Sequence, residues 1–152
     1  LGVIYPDHSQ HPKMHHNDSG KFESSFLTID IHDSPSIMLA SLSGSRLGIW
    51  VAHGEGKFSF PGAEDHYKIA ASYSYAEYPG NPNGSQFNAA AVCSDDGRHL
   101  AIMPHLERSI FPWHWPCHTE ELKGATATPW MQAFVNARHW VSDRKTEEQL
   151  SN

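Results

Sequence analysis

Ala89-Ala90-Ala91-Val92-Cys93-Ser94-Asp95-Asp96-Gly97-Arg98-His99-Leu100-Ala101-Ile102-Met103-Pro104-His105-Leu106-Glu107 is the stretch from which the rest of the chain can be read. Two apolar runs flank Asp95-Asp96-Gly97. An Asp-Gly step between such runs signals a hairpin, because glycine accepts the positive φ that the turn requires. The spacing predicts antiparallel strands over 87–94 and 98–104. His105 and Glu107 follow the second strand two residues apart, and on an extended chain that spacing puts both side chains on one face. A carboxylate beside an imidazole can orient it, which is the base-plus-orienter half of a nucleophilic triad. The same spacing also fits a solvated pair at a strand end, and spacing alone does not choose between them.

Working outward, Phe26, Thr28, Ile29 and Ile31 predict a strand over 22–31, Leu47 to Ala52 a buried strand, and Tyr67 to Tyr75 a weaker one. Ser36 to Leu42 reads as a short helix ending at Gly44. Two loops stand out. His53-Gly54-Glu55-Gly56 sets a carboxylate between two glycines, which demands a tight turn. Tyr78-Pro79-Gly80-Asn81-Pro82-Asn83-Gly84-Ser85 is eight residues of turn chemistry. Residues 109–128 are irregular. A helix then opens with Thr128 as N-cap and Pro129 at its first position, and Trp130, Phe134, Ala137 and Val141 form its apolar face. Residues 1–20 read as a helix end and a loop, and residues 143–152 as a charged tail that frays. The 152 residues fit one domain, or part of one, without repeat or linker.

Composition excludes several classes of function. Lys and Arg number 11 against 17 Asp and Glu, giving a net charge of −6 with no basic run. That removes the electrostatic footprint of a nucleic-acid or anionic-membrane binder. No apolar run approaches the roughly 20 residues of a membrane helix. Hydrophobic residues at 39% and charged residues at 18% suit a packed core rather than a disordered chain. Two cysteines are too few for a disulfide scaffold, so a reducing cytoplasm is the expected location. Leu1-Gly2 is not a natural start, and the chain reads as a fragment of a longer one.

A triad needs a nucleophile, normally on a sharp glycine-flanked turn, and the sequence has no G-x-S-x-G or G-x-C-x-G. Cys93 sits in an apolar strand, where a small buried hydrophobe is the usual role, and Cys117 lies in a loop. Two histidine clusters, His11, His15 and His16 near Asp18, and His114, Cys117 and His118, lack the tight spacing of a zinc site. Gly54-Glu55-Gly56-Lys57 lacks the spacing of a phosphate loop.

Five segments carry a resemblance. Asn17-Asp18-Ser19-Gly20-Lys21-Phe22-Glu23, Ala52-His53-Gly54-Glu55-Gly56, the 78–85 loop, Met103-Pro104-His105-Leu106-Glu107-Arg108, and Pro129-Trp130-Met131 with Phe134 and Asn136-Ala137-Arg138 occur in that order. From about Asn17 to Val141 the chain resembles the C-terminal glutaminase domain of the large single-chain phosphoribosylformylglycinamidine synthases, a class I glutamine amidotransferase domain.

The resemblance implies the later part of a flavodoxin-like α/β domain, incomplete on its N-terminal side: strand-rich, mostly antiparallel, with a C-terminal helix and exposed apolar surface. It implies that a cysteine attacks glutamine and a thioester forms, and that ammonia passes to a synthetase site. His105 is then the catalytic base and Glu107 its orienting carboxylate. His53, Gly54, Glu55, Gly56, Asn81, Asn83, Gly84 and Ser85 lie around the glutamine pocket. The nucleophile belongs to an elbow upstream of Leu1, so the isolated chain is expected to be inactive. No metal or cofactor is expected here, since ATP and Mg belong to the synthetase part. Its partners are glutamine and the remaining domains of the same enzyme.

Leu106 departs from the proline that many relatives carry, which frees His105 from its extended bias. A non-catalytic interaction module of the same fold, or a histidine-rich metal protein, remain as alternatives.

Overall fold

The computed structural model describes residues 1–117 and 120–150. Seven strands, β1 (Lys13–His15), β2 (Glu23–Ile31), β3 (Arg46–His53), β4 (Lys57–Ser59), β5 (Lys68–Tyr73), β6 (Ala89–Cys93) and β7 (Leu100–Ile102), precede one helix, α1 (Met131–Leu150). Five of them form a sheet in the order β3-β2-β5-β6-β7, and β1 pairs with β4 beside it. Every pairing among the described residues is antiparallel. The strand-rich α/β architecture with a C-terminal helix is the expected one.

β2 and β3 pair from Glu23 opposite His53 to Asp30 opposite Arg46. At the far end Arg46 grips Asp30 with two bonds, Nε to Oδ1 at 2.6 Å and Nη2 to Oδ2 at 3.1 Å. That guanidinium holds the Asp30 carboxyl below its usual range. An antiparallel bridge between Trp50 and His105 joins the outer strand β3 to the segment after the other outer strand, β7. The sheet therefore curls until its two edges meet, and the meeting point is His105.

Two buried clusters pack against the sheet. One core gathers Ile29, Ile49, Val51, Tyr73, Cys93, Leu106 and Trp130, and a second gathers Ile4, Tyr5, Phe58, Phe60, Tyr67 and Val92. β6 lies between them and is buried at every position, which is why its sequence is a continuous apolar run rather than an alternating one. The β6–β7 hairpin turns at Gly97, whose φ is +70° and where an added Cβ would collide with the carbonyl of Pro35. The turn admits only glycine.

Several expectations are corrected. Residues 1–20 hold hydrogen-bonded turns, with Tyr5 N–H donating to Leu1 O at 3.2 Å, and the short β1 rather than a helix end and a plain loop. The helix expected over 36–42 is a turn followed by a 3-10 turn at Ala40–Leu42. The strand expected from Phe87 begins at Ala89, because Phe87 and Asn88 take positive φ of 56° and 53° in a turn of their own.

The expected face of α1 holds only in part. Trp130, fully buried, donates Nε1–H to Gly48 O at 2.7 Å, and Ala133 is buried with it. Phe134 and Val141 are exposed, and Asn136 takes the inward place, donating to Met38 O at 3.0 Å. The tail expected to fray continues α1 to Leu150, in a run of Lys, Glu and Gln that favours helix. His118, Ser151 and Asn152 lie outside the described residues. Exposed apolar surface is present as an open groove of about 630 Å³ between Val3, Ile37, Met38, Leu100, Trp140 and Val141. Among the described residues no helix is long and apolar enough to cross a membrane.

Candidate active site

The site is built at the seam of the curled sheet. β7 ends at Ile102, Met103 N–H still bonds to Ala90 O at 2.9 Å, and after Pro104 the chain crosses to β3, where His105 N–H donates to Trp50 O at 2.7 Å. From the other side Ser109 Oγ donates to His105 O at 3.0 Å. His105 is extended, with φ −91° and ψ 95°, even though leucine rather than proline follows it. Leu106 explains why: its side chain is buried in the main core and replaces the covalent restraint with a packing one.

His105 Nδ1 and Glu107 Oε1 are 2.7 Å apart. The route to this contact differs from the sequence reading. Glu107 is in a 3-10 turn spanning Leu106–Arg108, not on an extended chain, and that turn swings its carboxylate back onto the ring. Arg108 Nε approaches the same Oε1 at 3.7 Å. With the carboxylate on Nδ1, the ring carries its proton there, and Nε2 is left as a free acceptor. The imidazole is mostly buried and Glu107 mostly exposed. Beside the pair is a cavity of about 290 Å³ that His53, Met103, His105, Leu106 and Glu107 help to line.

A second imidazole faces the first. His53, at the end of β3, has its ring centroid 6.1 Å from that of His105 at an interplanar angle of 66°. Both His53 ring nitrogens are buried without a hydrogen-bond partner. Burial, and then the neighbouring His105, lowers its pKa, so His53 is neutral where an ordinary histidine begins to charge. Glu55, at the tip of the loop, faces solvent and sits 3.4 Å from His16. Gly56 lies inside, where an added Cβ would press on Asn83 Nδ2 and His53 Nδ1 at 2.6 and 2.8 Å.

The second loop is tied into the protein. Asn81 Oδ1 accepts the N–H groups of Gly84 and Ser85 at 3.1 and 3.0 Å, an Asx-type turn that closes the loop on itself. Asn83 is fully buried: its Nδ2 donates to Asn17 Oδ1 at 2.6 Å and its Oδ1 accepts from Tyr73 Oη at 2.9 Å. Ser85 Oγ donates to Gly56 O and accepts from Phe58 N–H. Gly84 has φ +74°, and an added Cβ would overlap Asp18 Oδ2.

The structure thus brings His53, Gly56, His105 and Glu107 to one place, and puts Asn81, Asn83 and Ser85 behind them as a scaffold. Sequence reasoning gave no role to Asn17, Tyr73, Ser109 or the Trp50 carbonyl. Only Asn17 had a local signal, its place in an Asn-Asp-Ser-Gly turn.

Neither cysteine lines the cavity beside His105. Cys93 is buried in β6, and burial pushes its thiol pKa up, with Ser34 and Ser36 as its polar neighbours. Cys117 is exposed on the 109–128 segment. Among the described residues no three His, Cys, Asp or Glu side chains converge as metal ligands.

Residues 1–141 match the model of the CobB/CobQ-like glutamine amidotransferase domain. The chain is 45% identical over 144 residues to the probable phosphoribosylformylglycinamidine synthase, chloroplastic/mitochondrial, of Arabidopsis thaliana, a match covering 86% of this chain and 10% of that protein. It is 39% identical over 140 residues to the phosphoribosylformylglycinamidine synthase of Homo sapiens, covering 84% of this chain and 10% of that one. The chain thus spans about a tenth of the length of these relatives. A chain of the solved structure of PurLQS from Thermotoga maritima superposes with TM-score 0.66 at 18% identity, over 91% of this chain and 57% of that chain. At that identity the likeness is one of fold.

Proposed function

Because the chain belongs to the CobB/CobQ-like glutamine amidotransferase domain family, we propose that it is the His/Glu-bearing part of the glutaminase domain of a phosphoribosylformylglycinamidine synthase. Such an enzyme hydrolyses glutamine and delivers the ammonia to an ATP-dependent conversion of FGAR to FGAM in purine synthesis. The observation that carries the reading is the 2.7 Å contact between His105 Nδ1 and Glu107 Oε1, at a strand end whose backbone is pinned on both sides.

A cysteine thiol gives its proton to His105 Nε2 while its sulfur bonds to the glutamine carboxamide carbon. The oxyanion collapses, the C–N bond breaks, and His105 returns the proton to the departing nitrogen, leaving a γ-glutamyl thioester and ammonia. Water, deprotonated by His105, then attacks the thioester carbon, the C–S bond breaks to release glutamate, and the proton returns to the cysteine sulfur. Glu107 holds the tautomer through both halves. Since Cys93 is buried and Cys117 lies in an exposed loop, we assign the nucleophile to a part of the larger protein outside these residues. ATP and magnesium belong to its synthetase part. Glutamine and the remaining domains are the partners, and two free thiols fit a reducing compartment such as the cytoplasm.

In the whole enzyme, His105→Ala is expected to abolish glutamine-dependent synthesis while ammonia-dependent synthesis continues, because the synthetase site is separate. Equal loss of both activities would contradict the assignment.

A further inference from the structure

Three loops that are distant in sequence meet on one side chain. Asn17, 3% exposed, uses its full hydrogen-bonding capacity. Its Nδ2 donates to Lys21 O at 2.8 Å and to His53 O at 2.7 Å. Its Oδ1 accepts from Gly56 N–H at 3.0 Å and from Asn83 Nδ2 at 2.6 Å. The backbone repeats the stitch: Asn17 N–H donates to Gly54 O at 2.9 Å and Asp18 N–H to Asn83 O at 3.2 Å. Outside it, Lys57 Nζ meets Asp18 Oδ1 at 2.6 Å. The 17–21 turn, the His53–Gly56 loop and the 81–85 loop are therefore tied together, and Asn17 holds the loop at both ends, His53 and Gly56.

What that loop presents is the His53 ring, which stands against His105 with both nitrogens unbonded. We propose that Asn17 is a positioning residue of the glutaminase site, fixing through the His53 carbonyl and the Gly56 amide where the second imidazole stands relative to His105. It touches no reacting atom and acts through the loop. This rests on the glutaminase reading above.

Structural and positioning roles separate by comparing the two ends of the network. Tyr73→Phe removes the hydroxyl that donates to Asn83 Oδ1, so it loosens the same buried cluster but leaves both bonds to the His53–Gly56 loop. Asn17→Asp keeps the acceptor and loses the donations to Lys21 O and His53 O. Asn17→Ser is a neutral, shorter alternative that spans neither gap.

In the whole enzyme, glutaminase kcat and glutamine KM, the rate of labelling by a glutamine-mimicking diazoketone, and ammonia-dependent synthesis would be measured for each variant. The proposal expects an Asn17 variant to lose roughly 10-fold to 100-fold in kcat and labelling rate. Ammonia-dependent synthesis should be intact and Tyr73→Phe within about twofold of wild type. Asn17 variants at wild-type kcat, or Tyr73→Phe falling equally, would overturn it. So would failure of both Asn17 variants to accumulate while Tyr73→Phe does, which would make Asn17 a folding residue. His105→Ala that keeps glutaminase activity would instead overturn the glutaminase reading itself.

Discussion

At the residue scale, the chemistry turns on which groups are free and which are held. Cys93 has no exposure and a thiol pKa raised by burial, whereas Cys117 is exposed. Alkylation with iodoacetamide at neutral pH should therefore modify Cys117 alone, and both thiols only in denaturant, as read by peptide mass spectrometry. His53 supplies a pH dependence. Its folded pKa is lowered, so below the unfolded value of about 6.5 the unfolded chain binds the extra proton first. Its contribution is level above that pH, and stability falls as pH drops through it. His53→Gln should reduce the loss of urea resistance between pH 7.5 and pH 5; an unchanged loss would mean the ring is solvated.

At this scale the sequence was informative about His105 and Glu107, because two residues of spacing confine any encounter to one short turn. It misread the means, since the carboxylate arrives by a 3-10 turn rather than by strand alternation. It marked Asn17 only as part of a turn and gave it no role, because its partners are as far as 66 positions away, beyond the reach of any local pattern.

At the element scale, legibility follows the range of the forces. The β6–β7 hairpin was legible because Gly97 alone determines its turn, and β2 and β3 because their apolar and β-branched residues state their own preference. β1 and β4 were not, since three residues carry no period and their pairing is purely tertiary. The face of α1 was half legible. Trp130 and Ala133 are buried as a helix period requires, but the next inward position is filled by Asn136, which bonds a loop carbonyl rather than packing a hydrophobe. This divides the helix energetically. Trp130→Ala should cost about 3–5 kcal/mol through the lost ring and the orphaned Gly48 carbonyl. Phe134→Ala and Val141→Ala, on exposed positions, should stay within about 0.5 kcal/mol. Urea midpoints of the three variants check both halves of that statement.

At the scale of the whole molecule, the curled sheet explains why a short chain can place the His105–Glu107 pair accurately. The bridge between Trp50 and His105 closes β3 onto the segment after β7, and the two loops beside it are tied back by Asn17 and Asn83. The central claim is that this seam serves a cysteine supplied from elsewhere in the larger protein. The most direct measurement is covalent labelling of the whole enzyme by a glutamine-mimicking diazoketone, mapped by peptide mass spectrometry in wild type and in His105→Ala. The account predicts one adduct, on a cysteine outside residues 1–152, formed far more slowly when His105 is absent. An adduct on Cys93 or Cys117, or labelling indifferent to His105, would contradict it.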